Sequence, residues 1–84
     1  MTNSTTLHEE AIAWHKQKCF AQAEEKYKAA LQCDTNNADI LSDLGILYYH
    51  TERYQSALEV IERAIKLGFP KAIYYYRLGL VLEK

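Results

Sequence analysis

One spacing constrains this chain more than any other: small and large apolar residues return at an interval of 34. Gly79 lies 34 residues after Gly45, and Leu78 lies 34 after Leu44. Counting backwards by the same interval, Ala57 maps to Ala23, Ile61 to Tyr27, Ala64 to Ala30, Ile65 to Leu31, Gly45 to Ala11 and Tyr48 to Trp14. A unit of this length cannot bury its own apolar face, so successive units must stack. Within the unit the period is helical. Leu41, Leu44, Gly45 and Tyr48 fall at offsets of three, four and seven, and so do Tyr54, Ala57, Leu58 and Ile61, continued by Ala64 and Ile65. Each set draws one apolar stripe on a helix with 3.6 residues per turn. Gly45 and Ala57 remove bulk where two antiparallel helices meet, and side-chain bulk sets how closely helix axes approach.

This Leu-Gly, Tyr, Ala, Ala pattern at this interval resembles the tetratricopeptide repeat family. The resemblance covers roughly residues 4–84, which would form one domain: repeats at about 4–37 and 38–71, then a half repeat at about 72–84. It implies an all-α fold, a right-handed α-solenoid of antiparallel helix pairs with five helices. It also implies that the first helix of each pair lines a concave face.

Composition is consistent with helices, since the 84 residues include only three Gly and one Pro. Net charge is −1 with both signs interspersed, which argues against a nucleic-acid or anionic-membrane surface. Cys19 and Cys33 show neither C-x-x-C spacing nor a His partner at zinc-finger spacing, so reduced thiols in a cytoplasmic protein are expected. The start, MTNSTTLHEE, lacks a basic-then-apolar signal pattern. No apolar run approaches the roughly 18 residues of a membrane span.

Local signals place the elements. Ser4, Thr5 or Thr6 can cap the first helix, with Thr6 and Glu9 at capping-box spacing. Trp14 and Tyr48 sit on inward stripes and are expected in the core. The second helix runs from Phe20 to about Gln32. Asp34 to Asn37 form a connector in which Thr35 stands where the family usually has Pro. Asn36 or Asn37 can cap the third helix, which ends near His50. The fourth covers about Tyr54 to Leu67, closed by Gly68, and Pro70 suits the first turn of the fifth.

The expected partner site is the concave face: His8, Ile12, His15, Ser42, Ile46, Tyr49, Tyr76, Arg77 and Leu80. Ile12, Ile46 and Leu80 fall in line at the repeat interval, and an apolar, aromatic row rimmed by polar groups reads as a groove for a peptide or helix. The alternative is that these residues pack on one another across the superhelix. The family's best-known ligand is a chaperone's C-terminal carboxylate, held by Lys, Asn and Arg. The matching positions are His8, Ile12, Asp43, Ile73 and Arg77; only Arg77 fits, so an acidic chaperone tail is not expected. His8, His15 and His50 lack the further ligands that a metal site needs. Glu9 and Glu10 suit a helix start rather than acid–base work. No catalytic constellation and no cofactor is expected.

The last helix is apolar nearly all round: Tyr74, Tyr75, Tyr76, Leu78, Leu80, Val81 and Leu82. Tyr75 is expected in the core and Tyr76 on the inner face. Tyr74, Leu78, Val81 and Leu82 are expected on an open face that pairs with another copy. Alternatively, the chain is the N-terminal, non-catalytic part of a larger protein such as a transferase.

Overall fold

The computed structural model describes residues 3–67 and 71–84, and these form five helices. They are α1 (Ser4–Lys16), α2 (Phe20–Cys33), α3 (Ala38–His50), α4 (Tyr54–Lys66) and α5 (Ala72–Leu82). Gly68 and Pro70, expected to close α4 and open α5, lie outside the described residues. No helix among the described residues is long and apolar enough to cross a membrane.

The first helix of each full pair, α1 and α3, starts at a side-chain cap, whereas α2, α4 and α5 start without one. Asn37 caps α3, its Oδ1 accepting the Ile40 amide at 3.1 Å. At α1 the cap is Asn3, whose Oδ1 accepts the Thr6 amide at 2.8 Å, rather than Ser4, Thr5 or Thr6. Asn competes as well as Ser for this role, and placing the cap one residue earlier puts the hydroxyl residues inside the first turn.

The turns within each helix pair are built alike. Lys18 and Glu52, 34 apart, have φ of 62° and 63°. Around them Cys19 donates to the Trp14 carbonyl (2.9 Å) and Arg53 to that of Tyr48 (2.8 Å). Lys18 likewise donates to His15 (2.9 Å) and Glu52 to Tyr49 (3.1 Å). This is the Schellman arrangement, in which a left-handed residue satisfies the last carbonyls of a helix. It turns the chain sharply enough for α1 to pack on α2 and α3 on α4, while α2 meets α3 and α5 meets α4 and α3.

Each pair is closed by its small residues. Ala11, Ala23, Ala30, Ala57 and Ala64 are fully buried, and Gly45 faces Ile61 and Val60 directly. The core holds Leu7, Tyr27, Ile40, Leu44, Leu47 and Ile61, with Leu41 and Tyr74 in an adjoining cluster. The stack measures 38 × 28 × 18 Å. Its short dimension is about two helix diameters, so every helix reaches a surface.

The structure corrects four placements. Trp14 is 36% exposed, whereas Tyr48 is buried under the guanidinium of Arg53, 4.6 Å from its ring centre. The repeat counterpart of Arg53 is Cys19, which is too short to cover Trp14 in the same way. Tyr74 and Val81, expected on the open face of α5, are buried at 1% and 5% exposure. They are the repeat counterparts of Ile40 and Leu47, which are also buried, so α5 presents to the preceding pair the positions that α3 buries. Tyr75, expected in the core, is 51% exposed instead.

Candidate partner-binding groove

An open groove of about 490 Å³ runs across the first helix of each pair. Ile12, His15 and Lys16 of α1, Asp43, Ile46 and His50 of α3, and Arg77 of α5 line it, with Tyr27 of α2 beneath. Four expected residues, Ile12, His15, Ile46 and Arg77, are thus brought together.

The groove is not a purely apolar strip. Asp43 lies at its centre and accepts from Arg77 at 2.7 Å, while His8 Nε2 lies 2.6 Å from its other oxygen. Arg77 also donates to Ser42 Oγ at 2.8 Å. Burial opposes ionisation of Asp43, but the hydrogen bonds and charges of His8 and Arg77 outweigh it and hold the carboxyl below its ordinary range. Arg77 is therefore occupied within the protein. The position that best fits an acidic-tail clamp is already neutralised by an internal carboxylate.

Further along, His15 Nε2 and His50 Nδ1 are 2.9 Å apart, and His15 Nδ1 is 3.2 Å from the Tyr27 hydroxyl. The two imidazoles share one hydrogen, because two charged rings would set N–H against N–H. Burial, then His50 and Arg77, push His15 below its ordinary value against the pull of Asp43. Burial also pushes the Tyr27 hydroxyl up. Both are neutral at neutral pH.

The remaining expected residues lie elsewhere. Ser42 is buried at 1% exposure, so it supports Arg77 instead of meeting a partner. Tyr49 packs between His50 and Tyr54, with ring centres at 5.7 and 5.9 Å. His8 is held by Asp43, and neither Tyr76, 64% exposed, nor Leu80 lines the groove.

Lys16, Tyr27, Asp43 and His50 were not among the sequence-derived groove residues. A signal for two of them exists in the chain. Inner-face bonds join residues 35 apart, as in His8–Asp43, His15–His50, Asp39–Tyr74 and Ser42–Arg77, or 34 apart, as in Asp43–Arg77. Complementary polar residues at the repeat interval plus one mark this network.

A second surface is the outer side of α5. Tyr75 and Leu82 are 51% and 64% exposed, and a Cβ built at Gly79 would meet nothing within 4 Å. Leu78 beside them is half-buried.

The tetratricopeptide repeat profile matches residues 15–78. A human (Homo sapiens) protein, Protein O-mannosyl-transferase TMTC1, is 51% identical over 47 residues, a match covering 56% of the chain and 5% of that protein. The chain spans only a small part of that relative's length.

Proposed function

The chain belongs to the tetratricopeptide repeat family, and from that premise we propose that it is a protein–protein interaction scaffold that holds an extended or helical segment of a partner in the groove. The observation that carries this reading is the juxtaposition of Ile12 and Ile46, half-buried, with the polar His15–His50 pair and Arg77 along one open channel. Apolar anchor points next to fixed polar groups give both area and orientation to a bound peptide. Peptides selected from a random display library and measured by calorimetry test it. Ile46→Asp should weaken them at least about tenfold with helix content unchanged, as expected for a central apolar anchor. A library that yields no binder, or binders indifferent to Ile46→Asp, rejects the reading.

A second reading is supported by the outer face of α5: pairing with another copy through Tyr75, Leu78 and Leu82. Several wet apolar side chains on one helix favour association. Sedimentation should show concentration-dependent dimers, and Leu78→Glu with Leu82→Glu should give monomers; a monomer at millimolar concentration rejects it. Likeness to a segment of an O-mannosyl-transferase also supports a role as the holding part of a larger transferase. In that case the chemistry resides outside these residues, and a reading frame that runs past Lys84 into a catalytic domain decides it.

A further inference from the structure

The groove does not end at His50. It continues into a cleft of about 380 Å³ lined by His15, Lys16, Lys18, Phe20 and His50. Among the described residues no carboxylate lines this cleft, in contrast to the groove centre, where Asp43 neutralises Arg77. Within the cleft Lys16 and Lys18 therefore meet no carboxylate, and Asp43 in the adjoining groove is bonded to Arg77 and His8. The cleft sits where α1 and α3 end, and free carbonyls there would favour cations. Those carbonyls are occupied: Trp14 and His15 accept from Gln17, Lys18 and Cys19, and Leu47, Tyr48 and Tyr49 accept from Thr51, Arg53 and Glu52. Other groups that face the imidazoles are the Tyr27 hydroxyl of α2, Asp43 of α3 and Arg77 of α5. Phe20 fixes the wall, its ring centre 5.7 Å from His15 and 6.3 Å from His50.

We propose that this cleft receives an acidic segment of the partner polypeptide, with Lys16 and Lys18 facing its carboxylates and the His15–His50 pair, whose facing nitrogens bond each other, forming the wall beside them. This rests on the groove reading for the course of the rest of the peptide. It differs from a clamp on a terminal carboxylate in both place and residues, because the clamp position is taken up by Asp43 and Arg77. Acidic residues flanking an apolar anchor would set the direction in which the segment lies, since charge complementarity acts on register and encounter more than on affinity.

The test uses capped tetraglutamate, with capped tetraserine as control, titrated into the labelled protein and followed by NMR. Tetraglutamate should give saturable shifts at His15, Lys16, Lys18 and His50, and tetraserine none. Removing one lysine charge should weaken the response about threefold, and Lys16→Glu combined with Lys18→Glu should abolish it. The fold tolerates Glu at the left-handed position 18, because Glu52 occupies the same place in the next repeat. The signal should survive Ile46→Ala, which removes the apolar anchor without adding charge beside Lys16 and His50 and so separates this inference from the groove reading. Absent saturation, equal shifts at Lys28 and Lys66, or a response that persists in the double reversal overturns it.

Discussion

Gly45 and Gly79 occupy the same place in successive repeats, yet a methyl group has opposite consequences at each. At Gly45 a Cβ would lie 2.4 Å from Cγ1 and 2.8 Å from Cδ1 of Ile61, a fully buried side chain. Ala would gain about 1 kcal/mol in helix propensity and lose about 1–3 kcal/mol to overpacking. Because Cγ1 sits near the branch point and cannot swing clear, Gly45→Ala should destabilise by about 1 kcal/mol in urea denaturation. At Gly79 nothing opposes the methyl, so Gly79→Ala should stabilise by about 0.5–1 kcal/mol. If copies pair across α5, the same change should also weaken the dimer. Asp43 gives a third residue-level expectation. Asp43→Asn keeps the shape but leaves Arg77 and His8 facing a neutral amide, and should cost about 2 kcal/mol, read from the same urea curves.

The turns carry the element-scale prediction. Lys18 and Glu52 hold left-handed backbone that costs a side-chain-bearing residue about 1–2 kcal/mol. Glycine removes that strain and adds unfolded-state entropy, so Glu52→Gly should stabilise by a net amount of about 1 kcal/mol. Thermal melts showing no gain, or a loss, would mean that the Glu52 side chain makes a compensating contact. Much of the element plan was legible in the chain. The interval linking Gly45 with Gly79 and Ala23 with Ala57 gives helix pairs, and Asn37 announces the start of α3. The orientation of α5 was not legible, because it is apolar nearly all round and periodicity cannot say which stripe meets its neighbour. Only the equivalence of Tyr74 with Ile40 and of Val81 with Leu47, seen once burial is known, resolves it. The groove was half legible for a similar reason. Ile12 and Ile46 announce themselves by hydropathy. Asp43 has the wrong charge for a clamp position, and its role depends on Arg77 and His8 lying on different helices.

Across the whole molecule, the inner helices of successive repeats are tied by ionisable groups, and this makes stacking depend on pH from both sides. Asp39 is held low by the hydrogen bond from Tyr74 and by Lys71, against the opposing effect of burial. Asp43 is held low by His8 and Arg77 despite its burial, and His15 is held low chiefly by burial. Tyr74 is pushed up to about 12 by burial and by its bond to Asp39. In each depressed group the unfolded chain takes up a proton first, so its contribution is complete above the unfolded pKa and is lost as pH falls through the folded one. His15 therefore begins to withdraw stability below about pH 6.5, and the carboxylates below about pH 4. The sign reverses for Tyr74. Its contribution is complete below about pH 10 and disappears as pH rises towards its folded value. Urea denaturation across pH should therefore show a plateau between about pH 6.5 and 10, with a shallow acid step, a steeper one below it, and an alkaline decline. Asp39 is half-exposed and contributes little through charge alone, so the steeper acid step belongs to Asp43 together with Glu24, which the hydrogen bond from Arg53 holds low against burial. Asp43→Asn should reduce that step to the part Glu24 supplies, His15→Gln should flatten the shallow one, and Tyr74→Phe should reduce the alkaline decline to the part that buried Tyr27 supplies. A profile in which Asp43→Asn leaves the steep acid step unchanged would show that the Asp43 contacts do not couple stacking to pH, and would leave the step to Glu24 and its partner Arg53.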